Sequence, residues 1–199
     1  MHRPIITLTT DFGRSDSYVA QMKGAILAIQ PAAVIVDTTH EIPPQGIARA
    51  AELLAEIADA FPHGTIHVAV VDPGVGTARK ILAAELGTQR FIAPNNGLLT
   101  HVLRRLSPGP LVELTVERYW RLPVSNTFHG RDMMAPVAAH WSTGVDIDEF
   151  GPRIGEPPFE LPLPQPVRTP GGIAGSIAWI DGFGNLISNI EKSMLPVSL

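Results

Sequence analysis

The sequence predicts an α/β fold in which a mainly parallel sheet flanked by helices is followed by a truncated small β domain. Two observations lead to this fold class. Apolar β-branched runs alternate with runs of helical periodicity from residue 4 onwards, and this alternation gives way to short strands and glycine turns after residue 172. With 199 residues, 45% of them hydrophobic and 17% charged, the chain is long enough to bury a sizeable core.

The first five predicted elements alternate between strand and helix. "PIITLTT" (4–10) is typical of a buried strand, and the helical run that follows it ends at Pro31. In chain order, the elements are strand 4–10, helix 18–30, strand 33–39, helix 47–61 and strand 65–72. This succession predicts parallel strands, because each crossover helix returns the chain to the same end of the sheet.

The next elements extend this sheet. Two apolar runs with Gly87 between them predict a hairpin over 80–94. A helix over 97–106, a strand over 111–116 and a helix over 131–141 follow. We therefore assign residues 1–154 to an N-terminal α/β domain.

Proline becomes much more frequent after residue 154. The segment 155–172, "GEPPFELPLPQPVRTPGG", predicts an extended linker. Residues 173–199 then begin a C-terminal β domain, which we expect to be truncated.

Composition excludes several classes of function. The formal charge is −4 and basic residues are not clustered, which argues against nucleic acid as the partner. The chain has no cysteine, which excludes disulfides and thiolate zinc sites and fits a reducing cytoplasm. No apolar run reaches membrane-spanning length, so we expect no membrane partner.

Three acids end predicted parallel strands: Asp11, Asp37 and Asp72. In open α/β sheets, ligands bind beyond the carboxyl ends of the strands. Asp11 and Asp72 precede glycine-containing turns that would hold them rigidly, whereas Asp37 is interpreted as an ordinary loop or capping residue. A hard-cation site built from all three carboxylates, and with it a metal-dependent hydrolase, remains an alternative.

Familiar phosphate and zinc motifs are incomplete here. "GVGTAR" (74–79) lacks the third glycine of a dinucleotide fingerprint, and a predicted strand follows it instead of a helix. No Walker sequence occurs. His40-Glu41 lacks the second histidine of a zinc protease motif.

The segment "NTFHGRDMMAP" (126–136) is the second dense cluster of polar residues. Asp132 is interpreted as a first-turn acid of the following helix, and Arg131 as the partner of a nearby carboxylate. His129 is a better functional candidate than the other histidines, because Gly130 lets a ligand or a backbone approach it closely.

Five blocks in this order resemble the S-adenosyl-L-methionine (SAM) hydroxide adenosyltransferase family, a relative of the bacterial fluorinase and chlorinase. They are "TLTTDFGRSDSYVAQMKG", "VVDPGVGTAR", "APNNGLLT", "TFHGRD" and "IDGFGNLISNI", and they span residues 5 to 190. The resemblance implies hydrolysis of SAM to adenosine and L-methionine, with SAM as substrate, no cofactor and no metal. It also implies a homotrimer.

The resemblance also implies the site residues. The family's water-handling trio matches Asp72, Arg79 and His129. Its substrate-binding positions match Asp11 for the ribose, Asp16 near the methionine end and Phe128 in "TFHGRD"; in the C-terminal domain they match Asp181, Phe183 and Asn185. Read alone, Asp16 is the N-cap of helix 18–30, and "DGFGN" is a good turn sequence.

This chain departs from the halogenating branch at two places. That branch has Tyr in place of Asp72 and Tyr-Ser in place of His129-Gly130, so the halide-binding hydroxyl is missing here. The family's β domain also continues beyond the position where this chain stops. A nucleoside- or SAM-binding protein with little turnover is therefore the alternative function.

Overall fold

The computed structural model describes residues 3–195 and divides the chain into two units, the first ending at Leu161 and the second beginning at Pro162. This boundary falls inside the proline-rich segment 155–172.

The first unit contains one six-stranded sheet. Its strands are β1 (Ile5–Thr10), β2 (Val34–Thr39), β3 (Ile66–Val70), β4 (Ile81–Leu86), β5 (Gln89–Pro94) and β6 (Leu111–Glu113). Their order across the sheet is β2-β1-β3-β5-β4-β6. The pairs β1–β2, β1–β3 and β3–β5 are parallel, whereas β4 runs antiparallel to both of its neighbours. The predicted α/β class with a mainly parallel sheet is confirmed.

Four helices accompany the sheet: α1 (Tyr18–Ile29), α2 (Ile47–Ala58), α3 (Thr100–Arg105) and α4 (Ala135–Ser142). Two of them, α2 and α3, are shorter than predicted by three or more residues. The α2 helix stops at Ala58, whose carbonyl accepts a hydrogen bond from Gln89, and α3 starts at Thr100 because Gly97 adopts a φ of 102°. The predicted helix 131–141 is a π turn (Gly130–Met134) that continues into α4.

The sheet has a core on each face, as expected when helices cover both sides of parallel strands. Successive residues of β3 and its continuation alternate between them. Val68 and Val70 pack with residues of α1 and α4, whereas Ala69 and Val71 pack with residues of α2 and α3. The strand period of two thus sends neighbouring side chains into different cores.

The second unit contains two antiparallel hairpins. One pairs β7 (Val167–Thr169) with β8 (Gly172–Ala174), and the other pairs β9 (Ile177–Ile180) with β10 (Leu186–Ser188). The prediction of an extended linker over all of 155–172 is wrong at its end. Pro170 and Gly171 form a two-residue turn, and β-branched Val167 and Thr169 favour the strand before it.

Within residues 3–195, no helix has the length and apolar character that crossing a membrane requires.

Candidate active site

Most of the predicted site residues of the first unit lie near the carboxyl ends of the parallel strands β1 and β3. Thr10 at the end of β1 pairs with Val70 at the end of β3. Because β4 is antiparallel to β5, its first residue, Ile81, lies beside Pro94 at the end of β5. Residues that follow β1 and β3 therefore lie near residues that precede β4. Arg79 precedes β4, so it reaches the carboxyl ends of the parallel strands.

The turn from Asp72 to Arg79 is held by its backbone. The N–H of Val75 donates to the carbonyl of Asp72 at 3.2 Å. Gly76 has a φ of 79°, and a Cβ at this position would lie 2.4 Å from the carbonyl oxygen of Asn126. Only glycine fits here, so the tight turn fixes the spacing between the acid and the arginine.

Asp72, Arg79 and His129 form a continuous hydrogen-bonded chain. Arg79 Nε donates to both carboxylate oxygens of Asp72 at 2.8 Å, and Nη2 makes a further short contact to Oδ2. The same Nη2 donates to Nδ1 of His129 at 2.9 Å. The ion pair is largely removed from solvent, since the side chains of Asp72 and Arg79 are 4% and 12% exposed.

Arg79 determines which nitrogen of His129 carries the proton. A guanidinium has no acceptor, so Nδ1 must accept, and the neutral ring then carries its hydrogen on Nε2. Burial and the positive charge of Arg79 lower the pKa of His129, against the opposing charges of Asp72 and Asp132. His129 is therefore a neutral hydrogen-bond donor at pH 7.

Gly130 allows His129 to approach the sheet. A Cβ on Gly130 would lie 3.2 and 3.3 Å from the two methyl groups of Val70 and 3.4 Å from the sulfur of Met22. The start of the π turn therefore packs directly on β3. This is the close backbone approach that the glycine predicted.

A cavity of about 270 Å³ opens beside this chain of hydrogen bonds. Four of the predicted site residues line it, namely Asp11, Asp72, Phe128 and His129. Its walls also include residues that the sequence analysis did not single out, among them Pro44, Gln45, Val75 and Thr127. All of them belong to the first unit.

Gln45 holds Asp11. The backbone N–H of Gln45 donates to Asp11 Oδ2 at 2.9 Å, and Gln45 has a φ of 62°, which is rare for a residue with a side chain. Such strain clusters at functional sites. The sequence Pro43-Pro44-Gln45-Gly46 is rich in turn residues and could have indicated a tight turn at Gln45.

Phe128 is a rigid part of the cavity wall. It is 6% exposed and meets the rings of Phe12 and Tyr18 edge to face, at centroid distances of 5.7 and 5.2 Å. The guanidinium of Arg131 lies 4.9 Å from its ring centroid. Phe128 offers the cavity little free surface, because most of its ring is already packed.

Arg131 and Asp132 anchor the segment that carries His129. As predicted, Arg131 pairs with a carboxylate: its Nε and Nη2 donate to Asp132 at 2.6 and 2.8 Å. Asp132 is fully buried and also accepts from Arg121 and from the N–H of Ser125. Burial opposes ionisation of Asp132, but these hydrogen bonds outweigh it and lower its pKa.

Asp16 is not among the residues that line the cavity. It is exposed, and its Oδ2 accepts from Ser15 Oγ at 3.4 Å. The interpretation of Asp16 as the N-cap of α1 is wrong. Ser17 occupies that position, because the helix begins at Tyr18, and its side chain makes no capping hydrogen bond.

Asp181, Phe183 and Asn185 belong to the second unit, where they build the turn between β9 and β10. Asp181 Oδ1 accepts from the N–H groups of Phe183 and Asn185 at 2.9 and 2.8 Å, and Oδ2 accepts from Asn185 Nδ2 at 2.6 Å. These hydrogen bonds, led by that of Asn185, lower the pKa of Asp181. The ring of Phe183 is 96% exposed.

Asp11, Asp37 and Asp72 do not converge on one point. The interpretation of Asp37 as a strand-end loop or capping residue is wrong, because it lies within β2. Asp11 is bound by Gln45, Asp72 by Arg79, and Asp37 by Lys23 at 2.6 Å. In the described part of the chain, 3–195, no group of three or more acidic or histidine side chains could hold a metal ion. The donor set that a metal-dependent hydrolase would need is therefore not assembled from these residues.

Comparisons with known proteins agree with this geometry. Residues 6–151 match the family model described as the SAM hydroxide adenosyltransferase N-terminal domain. An "(R)-S-adenosyl-L-methionine hydrolase" of Salinispora arenicola is 39% identical over 186 residues, which cover 92% of this chain and 70% of the relative. A fluorinase of an Actinoplanes species is 30% identical, over 96% of this chain and 73% of the relative.

A solved structure supports the same relationship. The crystal structure of a conserved protein from Thermotoga maritima superposes with a TM-score of 0.91 at 36% identity, covering 95% of this chain and 72% of the other. The family model covers well over half of the sequence, and its range contains Asp11, Asp72, Arg79 and His129. The chain belongs to the SAM hydroxide adenosyltransferase family.

Proposed function

We propose that this protein hydrolyses SAM to adenosine and L-methionine. The observation that carries this proposal is the Asp72–Arg79–His129 chain at the wall of a cavity that Asp11 also lines. The hydrolase relatives support the same substrate.

In the proposed reaction, a water oxygen attacks C5′ of the substrate in line with the C5′–S bond. The C5′–O bond forms, the C5′–S bond breaks with its electron pair going to sulfur, and the water loses a proton to solvent. The neutral thioether of methionine is a good leaving group. The harder requirement is hydroxide character in a nucleophile whose pKa in bulk water is about 15.7.

The trio would supply that character through charge and oriented donors. The guanidinium of Arg79 provides local positive charge, although Asp72 balances it over the trio as a whole, and the Nε2–H of His129 provides a donor for the oxygen of the water. Asp72 holds Arg79 in place by charge-assisted hydrogen bonds. We assign no metal and no cofactor to this step.

The charge balance suits a cationic substrate. Asp72 neutralises Arg79, so the trio has no net charge, and Asp11 adds a negative charge to the cavity wall. A sulfonium is attracted to such a wall. Asp11 would hold the ribose hydroxyls, which orients C5′ towards the water.

The remaining site residues and the assembly are part of the proposal. Asp16, Asp181, Phe183 and Asn185 would serve the methionine and adenine ends of the substrate, as the resemblance implies, in a cytoplasmic homotrimer. Exposed apolar side chains in the second unit, Ile177, Ile180 and Leu186, are compatible with burial against another copy. Light scattering of the purified protein tests the trimer.

The deciding experiment incubates the protein with SAM in ¹⁸O-labelled water, with and without EDTA, and separates the products by chromatography and mass spectrometry. We expect adenosine labelled at the 5′ hydroxyl, methionine, and the same rate with EDTA. Unlabelled adenosine would contradict attack by water at C5′. Adenosine binding without any turnover would favour the nucleoside-binding alternative.

A further inference from the structure

A second chain of polar contacts ends at Thr10, the residue before Asp11. His40 Nδ1 is within hydrogen-bond distance of Thr10 Oγ1, at 2.9 Å. His40 Nε2 lies 3.1 Å from Asp37 Oδ1, which is an ion-pair distance without the geometry of a hydrogen bond. Asp37 Oδ2 in turn accepts from Lys23 Nζ at 2.6 Å. The chain thus runs from α1 through β2 to the last residue of β1.

The composition of this chain is that of a hydrolytic triad, but its burial excludes that role. Thr10 is fully buried and His40 is 6% exposed, so no substrate can reach the hydroxyl. That hydroxyl is already engaged, since Thr10 Oγ1 accepts the backbone N–H of Phe12 at 3.2 Å.

The proton positions follow from the partners. The carboxylate of Asp37 can only accept, so its proximity favours the tautomer of His40 that has its hydrogen on Nε2. In this tautomer, Nδ1 accepts the hydroxyl hydrogen of Thr10. Lys23 and His40 lower the pKa of Asp37 despite the opposing effect of burial, so an ionised carboxylate lies beside His40 Nε2.

His40 also binds the turn after β1 through its backbone. Its carbonyl accepts the N–H of Gly13 at 2.7 Å. The two peptide groups that follow Asp11 are therefore both fixed by His40, one through Thr10 and one directly. On the other side, the carboxylate of Asp11 accepts the N–H of Gln45.

We propose that Asp37 and His40 are positioning residues that act through Thr10 to hold the Asp11 turn in the conformation that grips the ribose of the substrate. This inference rests on the proposed function only for the identity of the ligand. The inference assigns a role to Asp37 and His40, neither of which belongs to the Asp72–Arg79–His129 trio. Neither residue touches the cavity, so neither is a catalytic residue.

Thr10→Val tests the inference, with Thr10→Ser as the matched control. Valine keeps the branched shape and removes the hydroxyl, whereas serine keeps the hydroxyl. In the ligand-free protein, we expect Thr10→Val to speed amide hydrogen exchange at Phe12 and Gly13 at least tenfold, with Thr10→Ser within about twofold of wild type. Peptides from α2 should exchange as in wild type in both variants.

Adenosine titration by calorimetry provides the second measurement. Thr10→Val should weaken adenosine binding about tenfold and raise the KM for SAM more than it lowers kcat. In an Asp11→Asn background, Thr10→Val should add little, because both changes disable the same contact. Asp37→Asn should follow the pattern of Thr10→Val with a smaller effect.

Three results would overturn the inference: unchanged exchange at Phe12 and Gly13, faster exchange throughout the protein, or equal losses of adenosine binding in the wild-type and Asp11→Asn backgrounds. Failure of the wild type to bind adenosine would instead count against the proposed function. The exchange rates need no ligand, so they would still decide whether Thr10 holds the turn.

Discussion

Arg79 donates from Nη2 to Nδ1 of His129 across 2.9 Å, although 50 residues separate the two in the chain. The contact sets the tautomer of the histidine, because arginine cannot accept a hydrogen bond. Asp72 completes the arrangement by holding Arg79 from the other side. The contribution of His129 to the rate is measured by kcat, and its contribution to substrate binding is measured by KM.

His129→Ala should lower kcat by about 10²–10³, the usual cost of removing one donor from a developing anion. His129→Gln should retain more activity than His129→Asn, because the amide of glutamine reaches the position of Nε2. Steady-state kinetics with SAM measures both. Wild-type kcat in His129→Ala would remove this residue from the mechanism.

Asp72→Asn should weaken the binding of cationic SAM far more than that of neutral adenosine. Without its carboxylate, Arg79 becomes an uncompensated positive charge, and two unit charges ~8 Å apart repel by about 2 kcal/mol at an effective dielectric constant of about 20. We expect the KM for SAM to rise more than tenfold, with adenosine affinity measured by calorimetry as the control. Equal losses for both ligands would refute the electrostatic explanation.

Chloride or fluoride should yield no halogenated nucleoside, because Gly130 offers no hydroxyl, and Gly130→Ser alone should not create this activity. The new Cβ would press against Val70 and Met22. Overpacking of this kind costs about 1–3 kcal/mol, so the variant should melt earlier than wild type.

Val70→Ala provides the matched control for this clash. Added to Gly130→Ser, it should recover part of the lost thermal stability, whereas alone it should destabilise the protein by leaving a cavity. Calorimetric melting of the three variants tests this. Strictly additive effects would show that the two positions do not compete for space.

Protein stability should rise with pH between about 4 and 6.5, and His67 should cause part of that slope. His67 is fully buried, bonded to Thr7 and stacked on Phe91, and burial lowers its pKa to about 4. In this window the unfolded chain binds more protons than the folded protein. Protonation on acidification therefore favours unfolding, by up to about 3 kcal/mol for this one group.

His67→Leu should reduce this slope in urea unfolding measured between pH 4 and 7. Burial also lowers the pKa values of His101, His129 and His140, so part of the slope should remain. His63→Gln is a suitable control, because His63 is an exposed residue. An unchanged slope in His67→Leu would contradict the assignment.

The sequence alone determined the elements and the identity of most candidate residues. Strand and helix periodicities are local properties, so β1, β3 and α2 could be read from a few neighbouring side chains. The tight turn after Asp72 was likewise visible from Pro73, Gly74 and Gly76. The family-like blocks "VVDPGVGTAR" and "TFHGRD" contain Arg79 and His129.

Tertiary structure decided which of these residues meet. The antiparallel insertion of β4 between β5 and β6 brings Arg79 to the edge where β3 ends, and this pairing depends on the burial of two separate cores. In the same sheet, β1 lies between β2, which contains Asp37, and β3, which precedes Asp72. Asp37 therefore contacts Lys23 and His40 instead of Asp72. Local periodicity cannot encode such pairings, because they are set by contacts between segments far apart in the chain.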